Sequence, residues 1–387
     1  MASRPPSQPS QACFSPRSIL YQNEDRSVVL VDIPASLEES QFPLDRCADT
    51  TGPQRRLLSA DPITTPFCVP EPRDPPTNNQ TPASQLADLM IEAAVGSALD
   101  TLGKGYSAPF SLPRVTGGGG RSSATSGSEC SKKSLQDHSA CQDTGQDTSA
   151  AAATAAAHFI PEESTHLNGS IQETREAFLS TAPRFDLIVL DPPWPNKSAR
   201  RKTGGYSTVY GLKETRALLD QIPVAGHLAE GGLVAIWVTN KATLVDLLIS
   251  PRGILASWGL EVAAEWVWVK ITTQGEPVFD PGSIWRKPWE RLIVARRRGD
   301  NRRVPQRVIA AVPDVHSRKP NLRYLFQDQL PRGYLGLEVF ARNLTAGWWG
   351  WGNEVLRFQE SRHWIVCPKP EQRAEPEKSE LGNTNTN

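Results

Sequence analysis

The residues best suited to chemistry stand together as Asp191-Pro192-Pro193-Trp194, directly after the apolar run Phe185–Leu190. That run reads as a short buried strand, so the four residues fall at its carboxyl end, where open α/β sheets bind ligands. Two prolines fix φ and carry no N–H. The turn is therefore expected to present rigid acceptors, an Asp carboxylate plus a main-chain carbonyl, without competing donors. Trp194 places a flat π surface beside them. The set suits a planar ligand with an amino group, whose hydrogens meet the acceptors while its ring stacks on the indole. A strand-ending Asp-Pro turn over a core tryptophan is the plainer alternative. The position directly after a fully apolar strand favours the ligand.

Three basic segments follow. The loop 195–205 holds Lys197, Arg200, Arg201 and Lys202 among glycines, with Tyr206 just beyond. It reads as a mobile lid whose cations meet phosphates while Tyr206 flanks a displaced base. A solvated basic loop is the alternative. The loop 274–289 sets Trp285 beside Arg286 and Lys287, as a stacking site for a nucleic-acid base or as a packing loop. Arg296, Arg297, Arg298, Arg302, Arg303 and Arg307 make a basic turn that either touches a phosphate backbone or is a solvated hairpin tip.

The elements that must position these residues begin after about residue 157. All 11 Trp lie at or beyond 194, and 16 of the 33 Pro lie within the first 113 residues. Strands are expected at 185–190, 233–239, 260–270, 291–296, 307–311 and 335–341, and helices at 212–221, 241–249 and 321–329. Strands apolar on both faces, alternating with helices, predict an α/β sheet covered on both sides. Gly347 to Gly352 reads as a Gly/Trp-rich turn. In the first 113 residues, 18–21 and 27–33 read as a hairpin, and 84–103 as a helix capped by Ser84 and stopped at Gly103. These pieces read as an N-terminal extension packing on the core. Residues 114–156 are Gly, Ser, Thr and Ala with almost no large apolar side chain, and read as a disordered linker or insert. Residues 157–366 form the main domain and 367–387 a disordered tail.

Composition narrows the classes. Lys+Arg and Asp+Glu are both 42, so only local charge can attract a polyanion. No apolar run reaches the length of a membrane helix, and residues 1–10 lack a secretory signal core. The six cysteines form no C-x-x-C pair, which argues against a zinc site or a disulfide framework.

Taken with its neighbours, Asp191-Pro192-Pro193-Trp194 resembles the mRNA-methylase-type family of S-adenosylmethionine-dependent adenine-N6 methyltransferases. The fuller set is similar to the methyltransferase-like-four branch of that family: 185–194 with Asn196-Lys197-Ser198, Trp237-Val238-Thr239-Asn240, 265–272, Lys287-Pro288-Trp289-Glu290, His316-Ser317-Arg318-Lys319-Pro320, 338–344 and 351–356. The resemblance covers roughly 158–360. It implies a Rossmann-like methyltransferase sheet with permuted motif order, the acceptor motif preceding the cofactor strand, plus a partly ordered N-terminal extension. It implies S-adenosyl-L-methionine as cofactor, with Lys319, Arg342, Asn353 and Glu354 on cofactor-contacting positions. Without it, Asn353 and Glu354 read as a helix cap and a first-turn acid. Ser170-Ile171 sits where the family has a turn, usually Asp-Ile, whose backbone addresses the cofactor adenine; serine replaces the acid here. Asp191, Pro192, Pro193 and Trp194 are the expected catalytic residues. Asn196, Lys197, Arg200, Arg201, Tyr206, Trp285 and Lys287 are the expected substrate contacts.

The implied activity is N6-methylation of adenosine in RNA, a structured small nuclear RNA above others, in the nucleus and also in the cytoplasm. DNA adenine competes on the same chemistry. A non-catalytic RNA-binding subunit is the reading of another class, and the intact acceptor motif argues against it. A small-molecule amine methyltransferase leaves the basic loops unexplained. No metal and no membrane partner are expected, and a monomeric chain, with a protein partner completing the RNA groove as the alternative.

Overall fold

A computed structural model describes residues 16–44, 54–68, 81–117, 157–195, 211–283 and 286–367. The strands are β1 (Ile19–Gln22), β2 (Val28–Val31), β3 (Gln54–Ser59), β4 (Val115–Thr116), β5 (Thr165–Asn168), β6 (Phe185–Leu190), β7 (Leu228–Val238), β8 (Leu260–Lys270), β9 (Trp289–Arg297), β10 (Arg307–Ala311), β11 (Gly336–Val339), β12 (Trp349–Gly352) and β13 (Trp364–Cys367). The helices are α1 (Ile33–Glu39), α2 (Pro82–Gly105), α3 (Ile171–Thr181), α4 (Leu212–Leu219), α5 (Val224–His227), α6 (Ala242–Ile249) and α7 (Ile254–Ser257).

Ten strands make one sheet in the order β1-β2-β10-β8-β9-β7-β6-β11-β12-β5. Pairing is parallel from β7 through β6, β11 and β12 to β5, and again from β8 through β10 to β2; β9 runs antiparallel to both its neighbours. The central strands carry apolar residues on both faces because both faces are covered. Leu187, Val189, Leu233 and Ala235 point into one cluster, and Ile188, Leu190, Val234 and Ile236 into the other. This is the Rossmann-like α/β sheet that the sequence implies. The chain leaves β6 towards β7 on one side, while β11 docks on the other. The carboxyl ends of β6 and β11 therefore form a topological switch point, where such sheets open a crevice.

The N-terminal segment is built into this body. The hairpin β1–β2 extends the sheet, β2 lying parallel to β10. Helix α2 lays Ile91, Val95, Ala98 and Leu102 onto Val28, Leu30, Val267, Val269 and Val308. Those four residues recur at helical spacing, so one stripe meets the sheet.

Several expectations change. Helix α2 is capped by Thr81, which accepts from Ser84 N at 3.2 Å, with Pro82 in the first turn; it runs past Gly103 to Gly105. The strand expected at 27–33 ends at Val31, because Asp32 caps α1 by accepting from Ala35 N. Residues 321–329 are not a helix: consecutive turns run from 323 to 329. Asn321 bonds Thr345 Oγ1 and Arg323 N, and the Arg323 guanidinium donates to the Glu39 and Phe42 carbonyls, so side chains hold this stretch where a helix ladder would. The expected turn at 347–352 contains β12, parallel to both β11 and β5. Residue 114 does not begin a linker: Arg114 is buried, donates to the Ala60, Val312 and Pro313 carbonyls, and leads into β4, which pairs with β3. Cys367 closes β13 opposite Gln54 and so is not part of a tail. Residues 118–156 and 368–387 lie outside the described residues.

The basic turn is largely structural. Arg296 reaches Glu261 and the Arg302 carbonyl, Arg297 the Ala225 and Leu228 carbonyls, and Arg302 the Gly231 and Gln329 carbonyls. Arg307 is buried against Asp328 and the Leu325 carbonyl. Spacing alone does not reveal that these guanidinium groups cap loose carbonyl ends.

Candidate active site

A cavity of about 570 Å³ opens at the switch point. Its walls come from three places: the first turn of α3 (Ser170, Ile171, Gln172), the rim of β6 (Asp191, Pro193), and the segment after β11 and β12 (Phe340, Arg342, Gly352, Asn353, Glu354). Helix α4 closes the far side with Glu214, Ala217 and Leu218.

Each wall has a local cause. Ser170 caps α3 in a capping box: its Oγ accepts from Glu173 N at 3.2 Å, and the Glu173 carboxylate accepts from Ser170 N at 3.1 Å. The Ser170 N–H is thereby occupied, which leaves the first-turn N–H groups of Ile171 and Gln172 as the helix-terminal donors facing the cavity. Phe340 sits at φ 60, unusual for a bulky residue, and its N–H donates to the Trp351 carbonyl at 2.7 Å. Gly352 makes this close approach feasible. Its φ is 151, and a Cβ there would lie 3.1 Å from Phe340 Cα.

At the rim, the turn differs in one respect from expectation. The Pro192 carbonyl accepts the Trp194 N–H at 2.8 Å, so a competing donor is present and one lone pair is used. Trp194 packs half-buried on the apolar cluster and donates its Nε1–H to the Trp237 carbonyl at 2.8 Å, which fixes the indole plane.

Asp191 stands in the middle of an alternating chain of charges. Arg342 Nη1 approaches its Oδ2 at 3.0 Å and Lys319 Nζ at 3.2 Å. Lys319 also meets Glu290 at 3.2 Å, Glu290 meets Lys270 at 2.7 Å, and Arg342 meets Glu354 at 3.1 Å. Burial alone would raise Glu290, but Lys319 and Lys270 outweigh it and bring that carboxyl to about 2. Burial would lower Lys319; Asp191 and Glu290 overcome this and hold it above the ordinary lysine value. Behind Asp191, on β11, Glu338 has the opposite fate. Burial and the Asp191 charge push it up to about 7, more than Arg342 and Lys319 can offset. Burial and the nearby Lys270 and Lys319 charges lower His316.

Of the sequence-predicted residues, the cavity gathers Ser170, Ile171, Asp191, Pro193, Arg342, Asn353 and Glu354. Lys319 is placed differently. It lies behind Asp191 with Trp237, Glu338 and Asn343 around it, and its ammonium is committed to two carboxylates. Lys287 is tied to Glu92 of α2 at 3.0 Å and to the Pro281 carbonyl at 2.7 Å, a brace between loop and helix. Asn196, Lys197, Arg200, Arg201, Tyr206 and Trp285 lie outside the described residues. Gln172, Glu214 and Phe340 are walls that sequence reasoning missed. Adjacency to Ser170-Ile171 could have found Gln172, whereas the turn at Phe340 and the approach of α4 leave no signal in the sequence.

The cavity suits a nucleoside carrying an amino-acid chain. Its volume is in the range of cofactor sites. Ile171, Leu218 and Phe340 offer apolar faces, the α3 N-terminus, Asn353 and Arg342 offer donors, and Glu214 and Glu354 offer acceptors. A Rossmann-like sheet with such a cavity at its switch point, and an Asp-Pro-Pro-Trp turn on the rim, is the architecture of a methyltransferase.

The MT-A70 family pattern matches residues 185–354. The N6-methyladenosine RNA methyltransferase MTA1 of Cryphonectria parasitica is 47% identical over 354 residues, covering 90% of this chain and 94% of that protein. Its namesake in Pyricularia oryzae is 46% identical over 369 residues, with 90% and 96% covered. The human N(6)-adenine-specific methyltransferase METTL4 is 38% identical over 222 residues, with 54% and 45% covered. The chain belongs to the MT-A70 family of adenine-N6 methyltransferases.

Proposed function

We propose that this protein methylates N6 of adenosine in RNA with S-adenosyl-L-methionine as methyl donor. One observation carries the reading: a single cavity joins the acceptor turn, Asp191 and Pro193, to the α3 N-terminus and to Arg342, Asn353 and Glu354. Base and cofactor must meet, and these residues line one cavity. Similarity along nearly the whole chain to proteins named as RNA methyltransferases supports RNA over DNA.

When bound, the cofactor supplies an electrophilic methyl group on a sulfonium. Ile171 and Gln172 would address its adenine from the α3 N-terminus. Asn353 and Glu354 would take its ribose, and Arg342 its carboxylate. On the other side, the N6 lone pair of adenine is delocalised into the ring and is a poor nucleophile. Asp191 accepts one N6 hydrogen and the remaining lone pair of the Pro192 carbonyl accepts the other, favouring a localised lone pair aimed at the methyl group. Lys319 from behind and Arg342 from the cavity wall hold the Asp191 carboxylate, so it is aligned before the base arrives. Catalysis in this scheme is alignment and preorganised charge. The acceptor must be unstacked, which is cheapest in an unpaired stretch of a structured RNA. Small nuclear RNA is such a target.

The test is methyl transfer by the purified chain to matched RNA and DNA oligonucleotides, read by mass spectrometry of the nucleosides, with Asp191→Asn as control. N6-methyladenosine in RNA is expected. N6-methyl-2′-deoxyadenosine alone would replace the RNA reading with DNA. A product independent of Asp191 would remove the catalytic assignment.

A further inference from the structure

The loop between β8 and β9 carries an aromatic pair that the fold does not need for its core. Phe279 lies 5.4 Å, centroid to centroid, from Phe67 at an angle of 33°, and the Arg286 guanidinium lies 5.8 Å from the Phe279 ring. Phe67 is 48% exposed, so this ring is offered to solvent. A flexible loop would let such rings collapse inward, but this loop is pinned. Thr272 N–H bonds the Glu276 carbonyl at 2.7 Å and Val278 N–H the Lys270 carbonyl at 3.0 Å. The N-terminal segment grips it from outside, Thr273 N–H to the Ile63 carbonyl at 2.8 Å and Phe67 N–H to the Val278 carbonyl at 2.9 Å. Phe110 packs so closely on Gly275 that a Cβ there would lie 2.7 Å away, and Glu92 of α2 ties down Lys287 at 3.0 Å.

The place of this loop matters as much as its rigidity. Its stems are Lys270 and Trp289-Glu290, and Glu290 meets Lys319, which meets Asp191. The loop thus rises from the same end of the sheet as the acceptor turn, with Glu290 of its stem two ion pairs from Asp191. An exposed ring backed by a half-buried one, with a cation beside them, is what an unpaired base and its phosphate require: the ring stacks, and the guanidinium attracts the anionic strand.

We propose that Phe67, Phe279 and Arg286 form a stacking site for an unpaired base neighbouring the adenosine to be methylated. The proposal rests on the nucleic-acid reading above, and it gives the N-terminal segment a share in substrate binding. Specificity here is for an unpaired flank and not for a base identity, since every base has a π face.

The test uses the full chain and an oligonucleotide with the acceptor adenosine in an unpaired loop, in intact form and with single abasic sites on either side. Binding is read by fluorescence anisotropy and turnover by steady-state kinetics, for wild type, Phe67→Leu/Phe279→Leu and Phe279→Trp. Leucine keeps apolar volume and removes stacking; tryptophan keeps stacking. The double leucine variant should weaken binding and raise KM for the oligonucleotide about tenfold, with kcat and cofactor affinity within about twofold. Phe279→Trp should bind as wild type. One abasic position should weaken wild type and leave the leucine variant unaffected, the coupling that a stacked base demands. Unchanged oligonucleotide affinity in the leucine variant overturns the proposal. So does a parallel fall in melting temperature and cofactor affinity, which would make the pair a packing clip. Anisotropy reads the site whether or not turnover occurs, and stacking does not depend on the sugar. Failure of RNA methylation is therefore distinguishable from failure of the stacking site.

Discussion

Glu338→Gln should make the protein more stable at pH 8 while leaving it nearly unchanged at pH 5. In the folded chain Glu338 sits behind Asp191, where burial and that negative charge raise it from 4.5 to about 7, against the pull of Arg342 and Lys319. The folded state therefore binds this proton more tightly than the unfolded chain. The stability it contributes is complete below about pH 4.5 and is lost as pH rises through about 7. The shift corresponds to roughly 3 kcal/mol at about 1.4 kcal/mol per unit. Glutamine mimics the neutral acid in shape and cannot ionise, so it escapes that loss. The assay is urea denaturation of both proteins at half-unit steps from pH 5 to 8. The variant's advantage should grow from near zero to a few kcal/mol, most steeply between pH 5 and 7. Other groups largely cancel in the difference. Glu290, brought to about 2 once Lys319 and Lys270 outweigh its burial, loses its contribution only as pH falls below about 4.5, outside the window. A constant offset between the two proteins across the range would refute a raised Glu338.

Three further changes probe the site and its support. Asp191→Asn should lower kcat by more than about tenfold, a loss above ~1.4 kcal/mol of transition-state stabilisation, with cofactor affinity within about threefold in calorimetry. Alanine would be a poorer choice, since it leaves Lys319 and Arg342 facing an empty space. Gly352→Ala should cost about 1–3 kcal/mol of stability by thermal melting and weaken cofactor binding, because its φ of 151 and the 3.1 Å approach to Phe340 Cα leave no room for a methyl group. Arg318→Ala should destabilise by about 3 kcal/mol in denaturant titration, since it strips the buried Asp314 carboxylate of its 2.8 Å cationic partner and frees the Leu58 carbonyl, leaving Asp314 the Ala60 N–H at 2.8 Å and Arg114 at 3.8 Å.

What the sequence shows and hides follows from how far each signal reaches. Phe185–Leu190, Leu260–Lys270 and Arg307–Ala311 are strands at the predicted bounds: the first and last are buried almost throughout, and the second alternates in its first half before its own buried run Trp266–Val269. The stretch 321–329 looked helical by the same apolar count. It is not, because Asn321 and Arg323 bond to residues near 345 and 40, partners that no local pattern contains. The arginines of the β9–β10 turn show the same limit for charge. Their number left phosphate contact and a solvated hairpin tip open, yet most are spent on carbonyls and carboxylates of the fold itself. The acceptor turn was legible because its chemistry is carried by four adjacent residues. The cavity was legible only through resemblance, since Ser170, Asp191, Arg342 and Asn353 are far apart in the chain and meet only when β6, β11 and β12 pair. The role of Lys319 shows why resemblance needs geometry as well. A lysine placed among cofactor contacts is bound to Asp191 and Glu290, so its charge acts on the cavity through the carboxylate it holds. If that is how it acts, neutralising Lys319 should disturb the pH dependence of turnover more than cofactor affinity. The acceptor turn and the cofactor wall would then be coupled through Asp191 and Arg342.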